Sequence, residues 1–128
     1  MKILVTGGRD YEDYDKFCQV MDRFSPESRQ YRFEQVTHII HGGAKGADAM
    51  ADRWARDNGV QPVRVDALWD IHGRAAGPIR NKAMLDLLDK KDDGVIAFPG
   101  GAGTASMVAI AQAAGVQVQT SGMILGWD

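Results

Sequence analysis

The sequence predicts an α/β domain: a mainly parallel sheet with helices on both faces. Three observations carry this. Short apolar runs alternate with segments whose apolar residues recur at helical spacing. Glycine clusters follow the first, second and fourth of those runs, where a buried strand turns into a helix. The length, 128 residues, is about one domain's worth, so residues 1–128 are read as one unit able to bury a core without metal or disulfide staples.

Each element has a local reason. Residues 2–6 (KILVT) form an apolar run ending at Gly7-Gly8, as a buried strand does. Tyr14, Phe17, Met21 and Phe24 share a helical face, which predicts a helix from an Asp13 N-cap to about Phe24, closed by Pro26. Residues 25–35 are polar and predict no element. Residues 37–41 (THIIH) are a second strand. Ala47, Met50, Ala51 and Trp54 recur at i, i+3, i+4 and i+7, a helix that ends at Gly59 with a left-handed cap. Residues 63–66 are a third strand, and residues 67–78 (ALWDIHGRAAGP) have no clean period and read as a loop. Residues 80–91 are a helix with Ala83, Met84, Leu87 and Leu88 inward, followed by a solvated turn, Lys90-Lys91-Asp92-Asp93. Residues 94–98 (GVIAF) are the fourth strand, residues 104–114 an Ala-rich helix, and residues 116–119 the fifth strand. The apolar tail residues Met123, Ile124, Leu125 and Trp127 suit either the sheet edge or a homodimer contact.

This strand–helix alternation argues for right-handed parallel crossovers, which bring every strand-to-helix turn to the carboxyl edge of the sheet. Ligands of open α/β sheets bind at that edge. Composition narrows the function classes. Lys plus Arg total 15 and Asp plus Glu total 17, a net charge of −2, which weighs against a nucleic-acid coat. Cys18 is the single cysteine, so no intramolecular disulfide forms, as suits a reducing, cytoplasmic setting. No apolar run approaches the roughly 18 residues of a membrane span, and Ile3-Leu4-Val5 is too short for a signal-peptide core.

Glycine is over-represented, 15 of 128 residues, about 12% against a usual ~7%. Eight of the 15 lie in three turns: Gly7 and Gly8, then Gly42, Gly43 and Gly46, then Gly100, Gly101 and Gly103. A helix that starts at such a turn aims free N–H groups and its positive dipole end at a ligand, and phosphate suits that place best. Arg9, Lys45 and Arg80 add charge-assisted donors. The turns match neither the P-loop, since Gly46 follows Lys45, nor the GxGxxG dinucleotide fingerprint.

Four segments, GGRDY at 7–11, HGGAKGAD at 41–48, GPIRNKAM at 77–84 and FPGGAGT at 98–104, resemble the SLOG superfamily of Rossmann-like domains. GGRDY is similar to its small YspA-type branch, found in bacteria and their phages. The resemblance runs from about Ile3 to Val118. The superfamily includes cytokinin-activating phosphoribohydrolases of the Lonely Guy type, a DNA-processing protein that loads recombinase, and nucleotide sensors of anti-phage systems. It therefore implies a single Rossmann-like domain that binds a small nucleotide or nucleotide-sugar ligand, with phosphate on the turn that ends at Thr104. Arg80 and Met84 look similar to the Arg and Met of the phosphoribohydrolases, and Asn81 lies between them. Those enzymes carry a catalytic Glu three residues after the Thr, where this chain has Met107. Methionine moves no proton and stabilises no oxocarbenium ion, so the resemblance implies phosphate binding without that mechanism.

Among other carboxylates, Asp10 and Asp48 stand beside two of the turns and are the catalytic candidates, with a ribose-hydroxyl contact as a further role for either. Structural roles compete: Asp10 can start an Asx-turn and Asp48 can complement a helix dipole. His38 and His41 are three apart in a strand and face opposite sides, so no metal site is expected, and no cofactor. Trp69 and His72, in the irregular segment before Arg80, could cover a base or simply plug the core. Trp54 lies on an apolar stripe and Asp52 with Arg56 makes an i, i+4 surface pair. The leading expectation is a binding module for a nucleotide-derived phosphate, acting as sensor, carrier or sequestering protein. The alternatives are a hydrolase of the N-glycosidic or phosphate bond using Asp10 or Asp48, and a DNA-processing accessory.

Overall fold

The computed structural model describes residues 1–25 and 36–126. Five strands, β1 (Lys2–Thr6), β2 (His38–His41), β3 (Gln61–Arg64), β4 (Gly94–Ala97) and β5 (Gln117–Thr120), form one all-parallel sheet in the order β3-β2-β1-β4-β5. Among the described residues the helices are α1 (Tyr14–Met21), α2 (Ala47–Asp57), α3 (Trp69–His72), α4 (Ala76–Leu85), α5 (Ala102–Ala113) and α6 (Ser121–Leu125). The chain winds outward from β1 through β2 to β3, then returns to lay β4 on the other side of β1. Connections leave β1 and β4 in opposite directions, so a crevice opens at their carboxyl ends.

Strand residues alternate between two cores, as a sheet covered on both faces requires. Ile3, Val5, Ile39 and Ile96 pack against α1 and α2 through Phe17, Met21, Ala51 and Trp54. Leu4, Ile40 and Val95 pack against α4 and α5 through Met84, Leu85, Met107 and Ala111. The predicted helices on both faces are therefore present. Asp13 caps α1 by accepting from the Lys16 amide at 3.0 Å, and Gly59 beyond α2 has φ +68°, both as the sequence predicts. Trp54 is core, and its Nε1–H donates to Asp22 at 2.9 Å. Pro26, residues 26–35 and Trp127 lie outside the described residues.

Several boundaries differ from the sequence reading. The third strand is Gln61–Arg64, two residues earlier than expected. It tolerates Pro62 because β3 is an edge strand, where a missing N–H leaves no ladder bond unmade. The fifth strand is shifted by one residue, to Gln117–Thr120. The segment read as a loop holds α3, a short 3-10 turn and the start of α4. Gly77-Pro78 sits in the first turn of α4, where a proline gives up no helical bond, so it marks a helix start and not a loop. The helix ends at Leu85, and Ala83 and Leu87 are exposed instead of inward. Past that end the bonds tighten to three-residue spacing, from the Leu87 amide to the Met84 carbonyl at 3.1 Å and from the Leu88 amide to the Leu85 carbonyl at 3.0 Å. Asp93 is buried, not solvated: its carboxylate accepts from the amides of Lys2 and Asp89, each at 2.7 Å. The tail forms α6, which packs Ile124 and Leu125 on the α1 side of the core and leaves Met123 exposed.

Candidate functional site

A cleft of about 540 Å³ lies at the carboxyl edge of the sheet. The turn after β1 supplies Gly7, Gly8 and Arg9. The first turn of α5 supplies Gly101, Gly103 and Thr104, and α4 supplies Arg80 and Asn81 across from it. Asp48 of α2 and Trp69 of α3 complete the lining. Thr6 ends β1 and Ala97 ends β4, neighbours in register, so the two glycine turns that follow them must leave the sheet side by side.

The glycines divide by what surrounds them. A Cβ on Gly7 would stand 2.9 Å from Phe98 Cβ, and one on Gly100 would stand 2.7 Å from the Gly8 nitrogen. At Gly46, φ is +73° and a Cβ would run into the carbonyl oxygens of Gly8 and Arg9. Those glycines let three turns pack on one another. At Gly101 and Gly103 a Cβ would meet nothing within 4 Å. Nothing in the fold requires glycine at these two for space, yet both face the cleft at the N-terminus of the 12-residue α5. That end presents free N–H groups and a positive dipole.

The second glycine turn is held from within. Asp48 Oδ2 accepts from the amides of Gly42 at 3.1 Å and Ala44 at 3.2 Å. Burial raises the Asp48 carboxyl above its ordinary value, opposed by the Ala44 amide, by the charge of Arg80, and by the Gly42 amide. Arg80 Nη1 donates to the Gly42 carbonyl at 2.8 Å, and Arg80 Nε donates to Asn81 Oδ1 at 3.2 Å. These bonds fix the guanidinium over the cleft, with Nη2 making no hydrogen bond among the described residues. Arg9 is exposed at the mouth.

The remaining sequence-predicted residues fall elsewhere. Gly42 is buried behind Arg80, and Gly43 lines a separate groove with Asp52, Arg56 and Arg64. Lys45 is exposed on the same turn, outside the cleft lining. Gly100 and Asp10 line a groove on the other side of the Pro99–Gly101 turn, beside Tyr11 and Lys16. His41 is buried; its Nε2 meets Asp52 Oδ2 at 2.7 Å and its Nδ1 accepts from the Gly43 amide at 3.1 Å. Those two bonds require the neutral ring protonated on Nε2, and Asp52 thereby joins His41 to Arg56 rather than making a surface pair alone. The Asp52 carboxyl is held low, chiefly by the Arg56 hydrogen bond. Among the described residues no group of three or more His, Cys, Asp or Glu side chains is placed to hold a metal ion. No helix among them is long and apolar enough to cross a membrane.

Met107, at the position where the phosphoribohydrolases carry Glu, is fully buried beneath the cleft among Leu4, Ile40, Met84 and Val95. Sequence reasoning missed Ser106, which lines the cleft from the exposed side of α5. Its spacing from Gly103, three residues on a helix, places both on one face and was the available signal.

Residues 1–72 match the YspA, cpYpsA-related SLOG family. The gene 61 protein of Mycobacterium phage D29 is 36% identical over 124 residues, which covers 91% of this chain and 93% of that protein. No solved structure matches the chain.

Proposed function

The chain belongs to the YspA, cpYpsA-related SLOG family, and from that premise we propose that it binds the phosphate of a nucleotide or nucleotide sugar in the cleft between β1, α4 and α5, as a sensor, carrier or sequestering protein. The observation that carries this reading is the pair Gly101 and Gly103, which face the cleft with no packing need for glycine. A phosphate seated on the first turn of α5 needs bare backbone, because any Cβ there occupies the oxygen positions. Arg80 adds a charge-assisted donor from across the cleft, and Arg9 adds charge at its mouth.

A hydrolytic role draws less support. Asp48 Oδ2 is committed to two backbone amides, Asp10 lines the neighbouring groove, and Met107 belongs to the core. Self-association accompanies the binding role: Leu68, Ile71 and Ile79 are exposed apolar side chains beside the cleft helix α4, and a second copy would cover them. A monomer mass by light scattering at micromolar concentration would count against that assembly.

The test of ligand binding is calorimetric titration of nucleoside monophosphates and nucleotide sugars into wild type and Gly101→Val. The expected result is binding by wild type and at least a tenfold loss in the variant, which stays folded with at most the small stability loss of an N-cap change. Equal affinities would remove the phosphate from this turn.

A further inference from the structure

We propose that Trp69 and Asn81 form a base-recognition subsite at the α3–α4 end of the cleft, where a nucleobase stacks on the indole and presents a hydrogen-bond acceptor to the Asn81 amide. The inference rests on the phosphate-binding reading above and extends it to the other end of the ligand.

Trp69 is 51% exposed although tryptophan is among the more buried side chains on average. Its neighbours Leu68 and Ile71 are also exposed, but Trp69 alone of the three lines the cleft. The indole lies against α4 at Gly77, where a Cβ would stand 3.5 Å from its Cη2. Without a side chain at Gly77, the ring sits directly above the helix backbone and keeps a broad apolar surface beside the cavity.

Asn81 is four residues beyond Gly77, on the same helical face, about 6 Å along the axis. It is 94% buried, with 6% of its surface exposed, and it lines the cleft. Its Oδ1 accepts from Arg80 Nε, and this fixes which way the amide points, because the flipped amide would set N–H against N–H. Its Nδ2 then has no protein partner among the described residues. No fully buried side-chain nitrogen or oxygen in the described residues lacks a partner, so this nitrogen must open onto the cleft. Opening on the cleft, this donor is available to an acceptor that a ligand brings there. An aromatic ring and a directed donor, one helix turn apart, match a flat heterocycle with carbonyl or ring-nitrogen acceptors on its edge. Phosphate alone uses neither.

The experiment separates the two ends of the ligand. Ribose 5-phosphate and the four common nucleoside monophosphates are titrated calorimetrically into wild type, Trp69→Ala, Trp69→Phe and Asn81→Leu. We expect at least one nucleotide to bind wild type about tenfold or more tighter than ribose 5-phosphate, the range that stacking a base on an aromatic side chain supplies. Trp69→Ala should bring that nucleotide down to the ribose 5-phosphate level, and Trp69→Phe should keep most of the preference. Asn81→Leu should flatten the differences among bases. Ribose 5-phosphate affinity should stay within twofold in both Trp69 variants. Equal binding of ribose 5-phosphate and nucleotides by wild type, or a preference that survives Trp69→Ala, would overturn the subsite and leave the phosphate site standing. Failure of every probe to bind wild type would overturn the phosphate site, and the subsite with it.

Discussion

The amide of Gly8 donates to the carbonyl of Pro99 at 2.8 Å, tying the turn after β1 to the turn after β4. The carbonyl of the same glycine accepts from the Ala47 amide at 3.2 Å, which brings in the turn after β2. Three turns spread over some ninety residues of chain thus meet at one residue, at the point where the winding of the sheet reverses. This junction decides which glycines are packed against a neighbouring turn and which face open space.

Gly46→Ala should lower the free energy of unfolding by about 2 kcal/mol or more. It adds the ~1–3 kcal/mol of a side chain held in a sparsely populated backbone region to a collision with the Gly8 and Arg9 carbonyls. Gly101→Ala should cost less, about 1 kcal/mol or below, the loss of glycine at the N-cap of α5, because its Cβ meets nothing within 4 Å. Urea denaturation of both variants checks this. Equal losses would contradict the division between packing and open glycines.

Arg80→Ala should weaken nucleotide binding about tenfold or more and cost about 1 kcal/mol of stability, since it removes a charge-assisted donor and the bond to the Gly42 carbonyl. Arg80→Lys should recover only part of the affinity, because an ammonium cannot bond Gly42 and a phosphate in the same fork geometry. Titration calorimetry and urea unfolding on the two variants read the two effects separately.

Asp93 should make stability depend on acid. Burial pushes its carboxyl up, but the Asp89 and Lys2 amides and the Lys2 ammonium outweigh that, and the group sits below its ordinary value of 3.8. A carboxyl lowered in the fold stabilises it fully above the unfolded value, and the benefit is lost as pH falls through the folded value. Asp93→Ala should therefore cost about 1–3 kcal/mol at pH 7. The gap from wild type should narrow steadily below about pH 4. Urea unfolding of both proteins across that range tests the sign: a gap that widens in acid would exclude it.

Met107→Glu should destabilise the protein by several kcal/mol rather than create a hydrolase. The position is fully buried among Leu4, Ile40, Met84 and Val95, and an unpaired carboxylate there has no solvent and no cation. Ser106→Glu, on the exposed cleft side of α5, should fold normally. Thermal unfolding distinguishes them; a Met107→Glu protein as stable as wild type would mean that position 107 is not core.

Much of the architecture was legible in local pattern. KILVT, HIIH and GVIA are short apolar runs with no other use than buried strands, and the glycines that follow announce the turns. Asp13 and Gly59 mark helix ends by chemistry that needs only near neighbours. The start of α4 was hidden because Gly77-Pro78 reads as a breaker in sequence, while in a first helical turn it is harmless. The burial of Asp93 was hidden among four consecutive charges, since its partner amide at Lys2 is 91 residues away.

Composition and pattern alone were enough to show that three glycine turns exist and that α/β alternation sends them to one edge of the sheet. Which of those glycines are crowded and which are open came from tertiary packing. A glycine with a neighbouring backbone against it and a glycine with open space beside it are the same letter. What separates Gly46 from Gly101 is whether the space a Cβ would fill is already occupied, by carbonyl oxygens in one case and by nothing in the other. That occupancy comes from residues distant in the chain, packed together by the order of the strands, and local pattern carries no record of it.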